Sequence, residues 1–133
     1  MIMKSKFTIT SILVVGLIIC AAAIEPVKRA VEFKNLQVLP KNISEKDLER
    51  IMEIDCSKAL GVGCDYCHVK IAGKDELDFV SDAKGEKEAA RSMMRMTMEI
   101  NKKYFGMERP LIGDSLMTVT CKSCHRGEPY PSK

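Results

Sequence analysis

The sequence predicts a small, mainly α-helical domain with little or no sheet, built from two helix–turn–Cys-x-x-Cys-His units. Three observations carry that prediction. The stretch GVGCDYCHVK (61–70) returns near the C-terminus as TVTCKSCHRG (118–127). Each copy follows an amphipathic segment containing methionine, with a turn between the two, which has the look of an internal duplication with diverged loops. A chain of 133 residues without a Pro-, Gly- or Ser-rich linker leaves room for one small domain.

Lys4 and Lys6 precede an apolar run from Phe7 to Ile24, and Ala21, Ala22 and Ala23 offer the small residues of a cleavage site. Residues 1–23 therefore read as a signal peptide or an N-terminal membrane anchor, the run being about long enough to cross a bilayer. Cys20 adds a third fate, lipid attachment, although Ile19 stands where a lipobox wants a small residue. All three place the working domain beyond the cytoplasmic membrane, periplasmic or otherwise extracytoplasmic, and two of them tether it. The 46% hydrophobic content is raised by this leader, and the rest of the chain has no Trp and few aromatics. Its protein core alone would be thin, so a covalently held cofactor would supply missing apolar volume. Setting Lys4 and Lys6 aside leaves 19 of the 21 basic residues against 18 acidic ones, a balance that gives no sign of a nucleic-acid partner.

Residues 24–43 mix charge with isolated apolar side chains and contain Pro26 and Pro40, which predicts an extended arm. The domain proper is expected over 44–133. Ser44–Asp47 (SEKD) has the outline of a capping box, and Leu48, Ile51, Met52, Ala59 and Leu60 follow at helical spacing, predicting a first helix over about 45–60. Gly61 suits its C-terminal cap and turns the chain into Cys64. Residues 69–81 read as a surface loop. Ser81 or Asp82 is placed to cap a second helix over 83–105. One face of that helix gathers Ala89, Ala90, Met93, Met96, Thr97, Ile100 and Tyr104, and the other Arg91, Arg95, Glu99 and Lys102. Gly106, Pro110 and Gly113 end it, Leu116–Thr120 suggests a short extended piece before Cys121, and the tail is irregular.

In an exported chain, paired cysteines serve as disulfides, zinc ligands, redox dithiols or haem attachment points, and the histidine directly after each pair selects the last. Two cysteine sulfurs form thioethers with haem vinyl groups, and the next residue brings an imidazole beneath the iron. Cys64 with Cys67, and Cys121 with Cys124, are therefore expected to hold two covalently bound haem c groups, with His68 and His125 as proximal iron ligands. The alternative is a zinc-binding module with those four thiolates as ligands, which leaves both histidines unexplained. A thioredoxin-like dithiol lacks the surrounding βαβ pattern.

Only these two histidines exist, so within one chain neither iron can take a second one, and the sixth position falls to methionine, another weak donor, water or a partner's group. Methionine is a soft neutral donor suited to haem iron, and nine are available. Met52 lies on the first helix's apolar stripe a short way before Cys64, so that helix can fold over the haem Cys64 holds. The second helix offers Met93, Met94, Met96 and Met98; Met93 is central on the face defined above, Met96 shares it, and Met98 lies nearer the charged side. Cys56 is left over and reads as a free buried cysteine. Arg91 and Arg126 read either as partners for haem propionates or as solvated surface charges.

The segments LPKNIS, IM and LGVGCDYCHV, then ARSMMRMTMEIN and TVTCKSCHRGEPYP, resemble the cytochrome c subunit of photosynthetic reaction centres over roughly residues 39–131. That resemblance implies a mainly helical dihaem fold with a helix-borne methionine opposite each motif histidine. Carried over by position, Met52 pairs with His68 and Met93 with His125. The photosynthetic subunit carries four haems, and this sequence matches a two-haem half. Iron held by His and Met has no open site for substrate, so the expected role is electron transfer between a donor and an acceptor redox protein, a photosynthetic reaction centre among the candidates, and not enzymatic catalysis. The competing enzyme reading is a small dihaem peroxidase with one open iron, which needs a distal acid–base group that no remaining histidine supplies.

Overall fold

Ser44 starts the first helix in extended conformation, its hydroxyl accepting the Asp47 amide at 3.1 Å while donating to the Asp47 carboxylate at 2.6 Å. Glu45 and Asp47 place negative charge in the first turn, where the helix dipole favours it. The computed structural model describes residues 32–131, and this helix, α1, covers Glu45–Arg50. From Ile51 to Lys58 the chain continues as a π-helix, with wider i→i+5 hydrogen bonding that is rare and mostly found as single-turn bulges inside α-helices. Ile51 and Ala59 point inward as the apolar spacing predicts. Gly61 then turns the chain at φ +67°.

The expected surface loop over 69–81 contains a short hairpin instead. Val69–Lys70 (β1) pairs antiparallel with Leu77–Asp78 (β2), Val69 opposite Asp78 and Lys70 opposite Leu77. Two rungs are all the β structure among the described residues, so the molecule is mostly helical with a minor sheet. The second long helix, α2, runs Gly85–Phe105 and ends on left-handed Gly106. Neither Ser81 nor Asp82 caps it. Lys84 occupies the cap position without a side-chain capping bond to the helix, and the Asp82 carboxylate is drawn instead to Lys87 at 3.1 Å and to Arg91 at 2.9 Å. Residues 116–120 form turns and bends, not a strand, and lead into α3, Cys121–His125.

The core is small. Leu39, Ile51, Met94, Ile112 and Met117 form its buried centre, with Met52, Cys56 and Met98 packed against it. Leu39 belongs to the segment expected as an arm, whose described part lies against the helices with Leu36, Val38 and Ile43 also in contact. Residues 1–31, which carry the leader, Cys20 and the first part of the arm, lie outside the described residues. Among those described, no helix is long and apolar enough to cross a membrane.

α2 meets the core through Arg91, Met94, Thr97 and Asn101, not through the face centred on Met93. The helix has two apolar arcs, and a wheel read for a single one centres on the arc that the core does not use. The arc through Met94 seats in the core with Met94 7% exposed; the arc through Met93 (47%), Met96 (46%) and Tyr104 (68%) stands open. Arg91, expected on the charged face as a propionate partner or a solvated charge, is not a solvated charge. It is buried, pairing with Asp82 and with Glu88 at 3.1 Å and donating to the Asn35 carbonyl at 3.3 Å. The paired Arg91 guanidinium, with help from Asn35 and Lys87, holds the Asp82 carboxyl far below the usual carboxylate range.

Candidate functional site

Each Cys-x-x-Cys-His motif is wound on a single helical turn. Cys64–Tyr66 form one turn of the tighter 3-10 helix, and the His68 amide returns to the Cys64 carbonyl at 3.1 Å. The second motif is α3 itself, started by a capping box between Thr120 and Ser123 and stopped by left-handed Arg126. A tight turn of this kind puts both thiols and the imidazole within reach of one small group. Cys64 and Cys124 are exposed, Cys67 and Cys121 half-buried, and all four are free thiols. Burial pushes the Cys67 and Cys121 thiols up. Among the described residues no three His, Cys, Asp or Glu side chains converge as a metal cluster, so the four-thiolate zinc arrangement is not formed.

The two histidines are held differently. His125 Nδ1 lies 3.0 Å from the Glu128 carbonyl oxygen. A carbonyl only accepts, so Nδ1 carries the proton and Nε2 keeps the lone pair, the tautomer that a metal takes. His68 Nδ1 is buried and has no hydrogen-bond partner. Its ring is positioned instead by an edge-on contact with Phe79, centroids 4.9 Å apart, which the β1–β2 hairpin delivers by folding back over the motif. Burial, followed by Lys87 and Arg91, lowers the His68 pKa and keeps its imidazole neutral.

The motifs abut each other through backbone. The Gly127 amide donates to the Ala59 carbonyl at 2.8 Å, and Gly61 lies so close to Gly127 that a Cβ at that position would stand 2.1 Å from its carbonyl oxygen. Lys84, just before α2, donates to the Asp65 carbonyl and fastens the first motif to the start of that helix. Asn101, fully buried, fastens the second. Its Oδ1 accepts the Thr118 and Val119 amides at 2.9 and 3.1 Å, and its Nδ2 donates to the Val119 carbonyl at 2.7 Å. Cys56 is a half-buried thiol, pushed up to about 12 chiefly by burial, with Cys121, Asp55 and Cys67 adding to the shift.

Of the expected ligands, His125 is anchored in a metal-ready tautomer, Met52 is half-buried against the core, and Met93 is on the open arc of α2. Exposed thiols, a directed imidazole lone pair and an apolar stripe on the neighbouring helix suit a flat apolar macrocycle carrying a metal. Sequence reading misses Asn101, Phe79 and the Glu128 carbonyl. An asparagine four residues after Thr97, inside an arc of methionines, is the one signal there to find; a main-chain carbonyl leaves none.

Residues 12–133 match the family described as Photosynthetic reaction centre cytochrome C subunit. The chain belongs to this family. Among curated relatives, cytochrome c-554 of Chloroflexus aurantiacus is 34% identical over 95 residues, 71% of this chain and 20% of that protein. The photosynthetic reaction center cytochrome c subunit of Roseobacter denitrificans is 32% identical over 103 residues, 76% of this chain and 26% of that protein. Its namesake from Rubrivivax gelatinosus is 31% identical over 71 residues, covering 53% and 16%. The chain thus spans about a quarter or less of the length of these relatives. No solved structure matches. The reaction-centre cytochrome family match takes in both motifs, both helices that precede them, and Asn101 with its partners at 118 and 119.

Proposed function

We propose that this chain is an electron-transfer unit outside the cytoplasm, carrying two covalently attached haem c groups that pass electrons between redox proteins. The names of its relatives support a reaction centre as one such partner, and the apolar run at 7–24 supports export with or without a membrane tether. The observation that carries the reading is the second motif: free thiols and an imidazole on one short helix, with Nδ1 fixed by the Glu128 carbonyl so that Nε2 is the donor. Haem iron would supply a one-electron couple at each site. Cys64, Cys67, Cys121 and Cys124 would attach the two groups, His68 and His125 would each give an imidazole donor, and Met52 and Met93 would each give a thioether donor. Iron that took both kinds of donor would have no position left for substrate and a higher reduction potential than iron held by two imidazoles.

Denaturing mass spectrometry of the exported protein should find two haems retained on each chain. A single retained haem, or haem that acid–acetone extracts, contradicts the assignment. Met93 has its own test. Met94 is in the core, so Met93 and Met96 are the contenders on the open arc. Met93→Ala should keep both haems attached and erase the methionine–iron absorption signature of one, lowering that haem's potential, whereas Met96→Ala should leave it intact. The reverse pattern would transfer the assignment to Met96.

A further inference from the structure

Asp55 is the one carboxylate among the described residues with a buried oxygen that nothing satisfies: its Oδ2 is out of solvent and has no hydrogen-bond partner. It projects from the π-helix into a cleft that it shares with Thr97, Asp114, Met117, Thr120 and Cys121. Cys121 is the residue that starts the second motif. Arg50, the nearest cation, does not close on it. Its Nη2 is committed to the Gly113 carbonyl at 2.9 Å, and its Nη1 stands 3.9 Å from Asp55 Oδ2, beyond hydrogen-bond range. The groups facing Asp55 are thus Arg50 and Cys56 from its own segment, Asp114 from the following loop, Cys121 from α3, and the uncharged Thr97 from α2. Burial raises the Asp55 pKa more than Arg50 lowers it.

We propose that Asp55 takes up a proton when the second haem is reduced and releases it on oxidation, so that the potential at the Cys121–His125 site, and not at the Cys64–His68 site, follows pH. This rests on the haem reading above. The step balances simply. One electron from a donor protein turns ferric iron ferrous, one proton from solvent goes onto Asp55 Oδ2, and the charge of the cleft is unchanged. A half-buried carboxylate with one oxygen out of solvent, beside Cys121, would stabilise oxidised iron while ionised, and the added electron would in turn make the carboxylate harder to keep charged. With Oδ2 unsatisfied and Arg50 committed elsewhere, little else in the cleft holds the charged form.

The test is a spectroscopic redox titration of the holoprotein at several pH values, wild type against Asp55→Asn. In the wild type, the second haem's potential should fall as pH rises through the carboxyl's titration range, by about 59 mV if proton affinity differs tenfold between oxidation states. In Asp55→Asn that dependence should vanish, with the second haem's potential raised at neutral pH and the first haem's unchanged. A slope that persists in the variant, moves with the first haem, or is absent from the wild type overturns the proposal. The variant should fold. A carboxyl whose pKa is raised by folding adds stability at low pH and loses it as pH rises through the raised value, so at neutral pH the asparagine is the better tolerated residue. As a second measurement, the Asp55 carboxyl followed by NMR in wild type should titrate at higher pH in the reduced protein than in the oxidised; equal values sink the idea. Protein with no haem couple at all fails the functional reading itself, a result distinct from two haems with a flat pH profile.

Discussion

Gly61→Ala should destabilise the protein by about 3 kcal/mol or more, because two penalties add at one residue. The backbone there is left-handed at φ +67°, which costs an L side chain on the order of 1–2 kcal/mol. The new Cβ would also stand 2.1 Å from the Gly127 carbonyl oxygen, a main-chain atom that no rotamer change can move. Relief requires shifting Gly127, and that breaks its amide bond to the Ala59 carbonyl. Gly106 provides the control. It has φ +68° with nothing within 4 Å of where a Cβ would stand, so Gly106→Ala should show the conformational penalty alone, about 1 kcal/mol. Equal losses of denaturant stability in the two variants would show that the motifs are not in contact at Gly61.

Asn101→Ala should cost about 3 kcal/mol, roughly 1 kcal/mol for each of the bonds to Thr118, Val119 amide and Val119 carbonyl. The loss should be local as well as global: amide exchange at 118 and 119 should quicken more than exchange in α1. Asn101→Asp sharpens the test. An aspartate keeps the acceptor for both amides but loses the donor to the Val119 carbonyl and buries a charge in a site with no solvent access. Its folded pKa should be raised, so its stability deficit should be largest at neutral pH and shrink as pH falls through that raised value. A deficit that is flat with pH would mean the side chain has escaped to solvent.

The sequence is most legible where a local rule operates alone. Ser44 with acidic residues after it marks the start of α1, the stripe through Ile51 and Ala59 marks its inner face, and Gly61 and Gly106 mark the two helix ends. It is least legible where one side chain has two uses. Asp82 has the position of a helix cap and is instead recruited by Arg91 and Lys87, because a pair of cations outweighs a few backbone amides. Arg91 reads as a surface charge until Asp82 and Glu88 from nearby in the chain, and Asn35 from far away in it, are brought together around it. The face that meets the core is displaced by about one residue around α2 from the one centred on Met93, since periodicity counts apolar positions and cannot tell an arc that meets protein from one left open. The Cys-x-x-Cys-His motifs themselves need no tertiary information, being contiguous, whereas the Glu128 carbonyl, Phe79 and Asp55 are defined only by what the fold places beside them.

The tie between Gly127 and Ala59 also bears on timing. On the proposed reading an electron must cross the gap between the two macrocycles, and tunnelling rates fall steeply with the width of that gap. Here the segments flanking the two motifs are joined by a backbone–backbone hydrogen bond of 2.8 Å and a glycine–glycine apposition, features without rotamers to fluctuate. The crossing time would then vary little, leaving encounter with donor and acceptor as the variable interval in each turnover.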